Sequence, residues 1–291
     1  MGTSDGQVLG LTKITDAGPA NQRWNVAIVS EGYRSDEITQ FATDAEQFAE
    51  ILLSTAPYDR LSAAINVYRV DVTSKESGAR DPTGCPGGTG AKPKTYFDAS
   101  FCTSGIRRLL VGNNGRVIKV VSKLLPQWHM ALLQVNSTIH GGSGGSVATF
   151  SKAPNAVEIA LHEMGHTAFG LADEYEYYSG CQTDNGHSNH SGSEPSQPNI
   201  TTNKNRATTK WRDLIQATTA VPTTVNANCA NCDPQPSPVP EGTVGLFEGA
   251  DYFHCKVWRP EFDCRMRNLN RAFCAVCQQV IEKKLKPFMP A

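Results

Sequence analysis

Two hydrophobic rhythms take turns through the first half of the chain. Residues 24–30 carry Val26, Ile28 and Val29 and predict a buried strand. Ser35 then stands where a helix N-cap would. Ile38, Phe41, Ala42, Ala45, Phe48, Ala49, Leu52 and Leu53 follow at i, i+3, i+4, i+7 spacing, a helix with one apolar stripe. Residues 65–72 predict a second strand, and Asp81 to Thr95 a Gly- and Pro-rich loop. Ile106 to Val111 reads as a strand, Arg116 to Leu125 as a helix stopped by Pro126, and 129–135 as another strand. Strands that alternate with helices favour right-handed crossovers and a twisted, mostly parallel sheet. A glycine-rich turn, Gly141-Gly142-Ser143-Gly144-Gly145, then leads into an apolar run at 146–150.

The second half has a weaker rhythm. Residues 178–245 are rich in Ser, Thr, Asn, Gly and Pro, and only Lys210 to Gln216, around Trp211 and Leu214, reads as helical. A loop region of that length is a candidate cleft wall or specificity surface. The last helix is expected over about 270–285, with Phe273, Val276, Val280, Ile281 and Leu285 on one face. The whole reads as an α+β chain with an α/β-type N-terminal lobe. We expect one domain over 1–291, with a lobe at 20–170 holding the sheet and a loop-rich, helix-terminated lobe at 171–291.

The chemistry is concentrated at 162–175. His162-Glu163-Met164-Gly165-His166 is an HExxH motif preceded by the apolar helix former Asn155 to Leu161. One helical turn brings His162 and His166 to the same face, where they can grip a zinc ion, and sets Glu163 beside them as a base. Gly170 ends the helix as a C-cap would. Asp173 is the first choice for a third ligand, Glu174 the next, with His187, His190 and His254 behind them. Two rivals belong to other classes. The segment 141–145 formally fits the GxSxG elbow of serine hydrolases, but that elbow joins a strand to a helix, and here a strand is expected to follow. A secreted, zinc-stabilised binding or adhesion module without catalysis is the other, and the presence of Glu163 argues against it.

Composition narrows the partners. The chain has 291 residues, 39% of them hydrophobic, and a net charge of −1, so no nucleic-acid partner is expected. No apolar run has the length of a membrane span. The opening Met-Gly-Thr-Ser-Asp-Gly has neither a basic stretch nor an apolar core, as in a mature domain without its signal peptide. Nine cysteines are many for a cytosolic enzyme and read mostly as disulfides of a secreted protein, with one thiol left over. Cys85–Cys102 is the expected pair across the Gly/Pro-rich loop. The rival for the others is a structural zinc held by Cys229, Cys232, Cys274 and Cys277 in two CxxC pairs. Asn136, Asn189 and Asn199 stand in N-x-S/T sequons, which matter only in a eukaryotic secretory host.

The stretch His162 to Tyr175, HEMGHTAFGLADEY, resembles the signature of the IgA-peptidase family of secreted bacterial zinc metallopeptidases, which is metzincin-like. Its glycine and aspartate come one residue later than in the usual metzincin pattern, at Gly170 and Asp173. Other blocks agree in order: Val26 to Tyr33, Phe41 to Leu53, Asn66 to Val72 with Ser74 to Gly78, Cys264 to Arg267, and Phe273 to Cys277. The resemblance spans about residues 24–285. It implies a zinc metallopeptidase that cuts peptide bonds of protein substrates, with His162, His166 and Asp173 as ligands and Glu163 as general base. It also implies a methionine turn at Met266 and an antiparallel edge strand over 145–150 that a peptide can extend. Tyr175 or Tyr252 is a possible donor to the transition state. A secreted monomer with one catalytic zinc is expected.

Overall fold

The structure, a computed structural model, describes residues 3–233 and 235–290. The chain divides into two compact units, residues 1–168 with 285–291, and residues 169–284. The first is built on a six-stranded mixed sheet in the order β1-β3-β2-β4-β6-β5. The strands are β1 (Gly6–Thr15), β2 (Trp24–Glu31), β3 (Ile65–Ser74), β4 (Met130–Val135), β5 (Gly142–Ser143) and β6 (Ala148–Phe150). The four inner strands run parallel, while β1 and β5 close the two edges antiparallel. Sheets and helices together make the α+β class expected.

All eight residues of β2 are buried, which is what a central strand covered on both faces requires. On one face Ala27 and Val29, Val70 and Val72, and Ala131 and Leu133 pack with Val117 and Val121 of helix α2 (Asn114–Leu124). Asn113 caps that helix by accepting from the Arg116 N–H. Val26, Ile28 and Leu132 point to the opposite face by strand alternation. Phe150 lies on that face and meets Phe48 of helix α1 (Ile38–Ser54) with ring centroids 5.4 Å apart.

Several local expectations change. Ser35 does not cap α1. It lies inside a 3-10 turn, Ser35–Glu37, whose Glu37 carboxylate reaches back to the Arg34 N–H, and the α-helix starts at Ile38. Residues 106–111 form no strand, only isolated bridges at Leu109 and Val111. The run 145–150 is not an antiparallel edge: β6 is parallel to β4 and internal, and the edge belongs to the two-residue β5. The outer side of Gly142 is itself engaged, its N–H donating to Arg108 O and its carbonyl accepting from the Leu110 N–H. β1 was missed because Gly6, Gly10 and Lys13 break its apolar pattern.

The second unit holds a three-stranded sheet, β7-β9-β8, made of β7 (His187–Asn189), β8 (Phe247–Ala250) and β9 (Phe253–Arg259). Neither β8 nor β9 is evident from the sequence, because Gly249 breaks the short β8 and the turn between the strands, Asp251-Tyr252, has no glycine to mark it. The helix expected at 210–216 is only a 3-10 turn, Arg212–Leu214. The last helix, α4, runs over Ala275–Leu285 and not from 270. Disulfides join Cys85 to Cys102, as expected, and also Cys181 to Cys232 and Cys229 to Cys255. The two-CxxC zinc site is therefore overturned, since Cys229 and Cys232 are spent in separate disulfides. Three thiols are left rather than one: Cys264, Cys274 and Cys277, all buried. Among the described residues no helix is long and apolar enough to cross a membrane.

Candidate metal centre

Helix α3 (Ala156–Phe169) carries the HExxH motif. Buried Ile159, Ala160, Leu161 and Met164 fix the helix in the first unit. This orientation turns His162 and His166 the same way. Their Nε2 atoms lie 3.0 Å apart and their rings meet edge to face at 83°. His162 is buried and His166 half-buried. At the tetrahedral angle two metal–nitrogen bonds of about 2.0–2.1 Å place their nitrogens about 3.3–3.4 Å apart, so the pair needs to open by only a few tenths of an ångström to hold one zinc-sized ion.

The glycine loop lies against this helix. A Cβ on Gly144 would stand 2.9 Å from His166 Cβ and 3.2 Å from Glu163 Oε2, and one on Gly142 would stand 2.5 Å from Ile159. The Gly145 N–H donates to Thr167 Oγ1, 3.2 Å away. Gly142 and Gly144 are thus explained by close approach of backbone to the motif's helix, while Gly141 makes room for Phe101 and Arg108 O and Gly145 holds a φ of +131°. Ser143 is buried in β5 and its hydroxyl donates to Leu110 O at 2.6 Å. It sits at no strand-to-helix elbow, which removes the serine-hydrolase reading.

In the second unit, Asp173, Glu174 and Glu176 follow Gly170, whose φ of +65° suits a helix C-terminus. Their side chains take different surroundings. Asp173 accepts a hydrogen bond from the Tyr252 hydroxyl at Oδ2. Tyr252 is in turn backed by Tyr175, hydroxyl to hydroxyl at 3.3 Å, and stacks on Tyr178 with centroids 4.5 Å apart. Glu174 is fully buried among the free thiols. Burial, and then the charge of Cys264, push its carboxyl well above the ordinary carboxylate range. Glu176 pairs with Arg267 at 3.1 Å and stands 4.0 Å from Arg259. Burial, and then the charge of Arg267, push Arg259 down to about 10.

Met266 is fully buried in a turn where the N–H groups of Arg267 and Asn268 both donate to Cys264 O. Its carbonyl accepts the Glu174 N–H at 2.8 Å. This ties the methionine's turn to the segment that carries Asp173. The remaining histidines of the second unit are engaged elsewhere. His254 Nε2 lies 2.7 Å from Asp184 Oδ1, His187 Nε2 2.7 Å from Tyr178 Oη, and His190 Nδ1 accepts from the Gly192 N–H.

Asn199 forms a clamp that carries no sequence signal. Asn199 is fully buried, so its sequon is no glycan site. Its side chain accepts from the Ala172 N–H at 2.8 Å, and donates to Ala172 O and Glu174 Oε1 at 2.9 Å each. A buried asparagine beside Asp173 holds that segment in place, and only its position in a polar loop hid it.

An α+β fold whose buried helix offers two converging imidazoles and an adjacent carboxylate is that of a metal-dependent peptidase. The chain matches the family described as IgA Peptidase M64 over residues 12–231 and 236–285, nearly its whole length, and it belongs to that family. It is accordingly a peptidase, a hydrolase, and the non-catalytic binding module finds no support. No curated protein matches the chain.

Proposed function

We propose that this peptidase is a zinc-dependent metalloendopeptidase of metzincin-like design, secreted, and acting as a monomer on protein substrates. His162, His166 and Asp173 are its zinc ligands and Glu163 its general base. The observation that carries the reading is the Nε2 pair of His162 and His166, 3.0 Å apart on one helical face, with Glu163 next to the first of them. Asp173 is favoured over Glu174 because Glu174 is buried among thiols, while the Asp173 carboxylate is oriented by Tyr252. The chain also limits its reach. From Phe169, the last residue of the helix, to Asp173 four residues on, the backbone extends at most about 14 Å. Met266 acts as an apolar support and does not ligate. The three disulfides fit an oxidising compartment.

When bound, zinc supplies Lewis acidity and lowers the pKa of a water toward neutrality. Glu163, beside the two imidazoles, would accept a proton from the attacking water and deliver it to the leaving amine. The glycine loop keeps Glu163 and His166 in place. Glu163→Ala is expected to abolish turnover of a casein substrate and leave zinc bound, read by elemental analysis. A strong chelator is expected to stop the wild-type enzyme, and zinc to restore it. Cleavage that survives either treatment would refute the reading.

A further inference from the structure

Three of the nine cysteines take no part in a disulfide, yet they are gathered in one place. Sγ of Cys264, Cys274 and Cys277 and a carboxylate oxygen of Glu174 all lie within 4.8 Å of one another, and all four residues are buried. We propose that Glu174, Cys264, Cys274 and Cys277 form a second, closed zinc site, structural in role and contained in residues 169–284.

The spacing of the donors is that of a coordination shell. Cys264 Sγ and Cys277 Sγ are 3.8 Å apart. A disulfide would need about 2.05 Å. Two zinc–sulfur bonds of about 2.3 Å at the tetrahedral angle place their sulfurs about 3.8 Å apart. Glu174 Oε1 lies 3.4 Å from Cys277 Sγ and 3.9 Å from Cys274 Sγ. The sulfur–oxygen edge of such a tetrahedron is about 3.6 Å, so the two observed distances bracket it.

The hydrogen bonds point the same way. The N–H groups of Met266 and Cys274 donate to Cys264 Sγ at 3.5 and 3.2 Å, and that of Cys277 donates to Cys274 Sγ at 3.4 Å. Backbone donors aimed at sulfur favour the thiolate over the thiol. Oε2 of Glu174 is buried with no hydrogen-bond partner among the described residues. Burying a carboxylate among three sulfurs is costly unless a cation balances it, and buried charges are characteristically paired or bound to metal. Oxidation does not resolve the cluster, because any disulfide strands the third sulfur. One divalent ion uses all four donors, and zinc binding displaces the thiol protons without an oxidant. Four protein ligands leave no open position, which marks a structural site.

The cluster joins three pieces of chain. Glu174 follows Asp173, Cys264 opens the turn that carries Met266, and Cys274 and Cys277 stand at the start of α4. Metal bound there would fix the segment that bears Asp173 without taking part in catalysis.

The test uses the full chain carrying His162→Ala and His166→Ala, purified without added metal. One zinc per chain is expected to remain, and cobalt substituted for it is expected to give tetrahedral d–d bands with sulfur-to-metal charge-transfer absorption. Adding Cys264→Ser is expected to remove both the stoichiometric zinc and the charge-transfer bands. If that variant fails to fold, the cobalt spectrum of the double-histidine variant decides alone. A double-histidine variant free of metal, or one whose cobalt shows no thiolate charge transfer, overturns the proposal. So does a non-reducing mass measurement showing a fourth disulfide and one free thiol. Failure of the proposed catalytic zinc at His162, His166 and Asp173 would leave this zinc in place, so the two failures are distinguishable.

Discussion

The hydroxyl of Tyr252 donates to Oδ2 of Asp173, across 79 residues of sequence. Tyr252 reaches it from an unfavourable backbone. Asp251 and Tyr252 form the two-residue turn between β8 and β9, where Ala250 pairs with Phe253, and their φ angles are +51° and +66°. Such a turn prefers Asn-Gly, and a bulky residue at positive φ costs of order 1 kcal/mol or more. The aromatic is tolerated there for what its hydroxyl holds. With Asp173 as the proposed third ligand, Tyr252→Phe is expected to weaken metal binding by about 10–100-fold, the usual cost of losing a partner of a ligand. Its kcat at saturating zinc should be close to wild type. A fall in kcat at saturating zinc with unchanged metal affinity would instead make Tyr252 a donor to the transition state.

Gly144 makes a purely spatial prediction. A methyl group there would press on His166 and Glu163 at 2.9 and 3.2 Å. Overpacking of this kind costs about 1–3 kcal/mol. Gly144→Ala should therefore lower the unfolding midpoint modestly, yet reduce kcat/KM by about 10-fold or more, since small misplacements of reacting groups are costly. Loss of stability with full activity would show that the loop bears on the fold and not on the motif.

Legibility followed the reach of the signal. The HExxH helix was readable because its function requires residues one turn apart, so short-range spacing is enough. β2 and β4 were readable because strands buried on both faces are nearly continuously apolar, and β3 because Tyr68, Val70 and Val72 alternate with Arg69 and Asp71. The β8–β9 hairpin was not, because its turn is Asp-Tyr and not a glycine pair, and it is placed by tertiary bonds of Tyr252 and Glu248. Cys264 and Glu174 join Cys274 and Cys277 from 10 and 100 residues away. No local pattern carries that pairing, and the CxxC spacing pointed instead to Cys229 and Cys232.

Glu31 ends β2 as a buried carboxylate. Oε1 accepts from the Thr95 hydroxyl at 2.6 Å and the Ala99 N–H at 2.9 Å, and Oε2 accepts from the Phe97 N–H at 2.9 Å. The loop 95–99 is thereby fastened to the sheet. Glu31→Gln keeps the size but turns an amide N–H₂ toward one set of donors. It is expected to destabilise the protein by about 1–3 kcal/mol, the cost of an unsatisfied buried donor. Urea unfolding checks this, and a change within error would mean that the loop is held by its apolar contacts.

Glu194 sets the sign of an acid-pH effect. Partial burial raises its pKa, but hydrogen bonds from Thr202, Thr201 and Lys210 outweigh that and hold it at about 2. The Thr202 side chain and N–H share Oε2, and the Thr201 hydroxyl takes Oε1. A carboxyl whose folded pKa is depressed binds fewer protons folded than unfolded. Its contribution is therefore full above the unfolded value of 4.5 and is lost as pH falls toward about 2. The group is 42% exposed, so solvent screening limits the contribution to about 1 kcal/mol or less. Hydrogen exchange should show the Thr202 amide protected at pH 5 and progressively released below pH 3. Glu194→Gln should abolish that pH dependence while leaving the exchange of β2 amides unchanged. Equal protection of Thr202 at both pH values in the wild type would show that the clamp does not depend on the charge of Glu194.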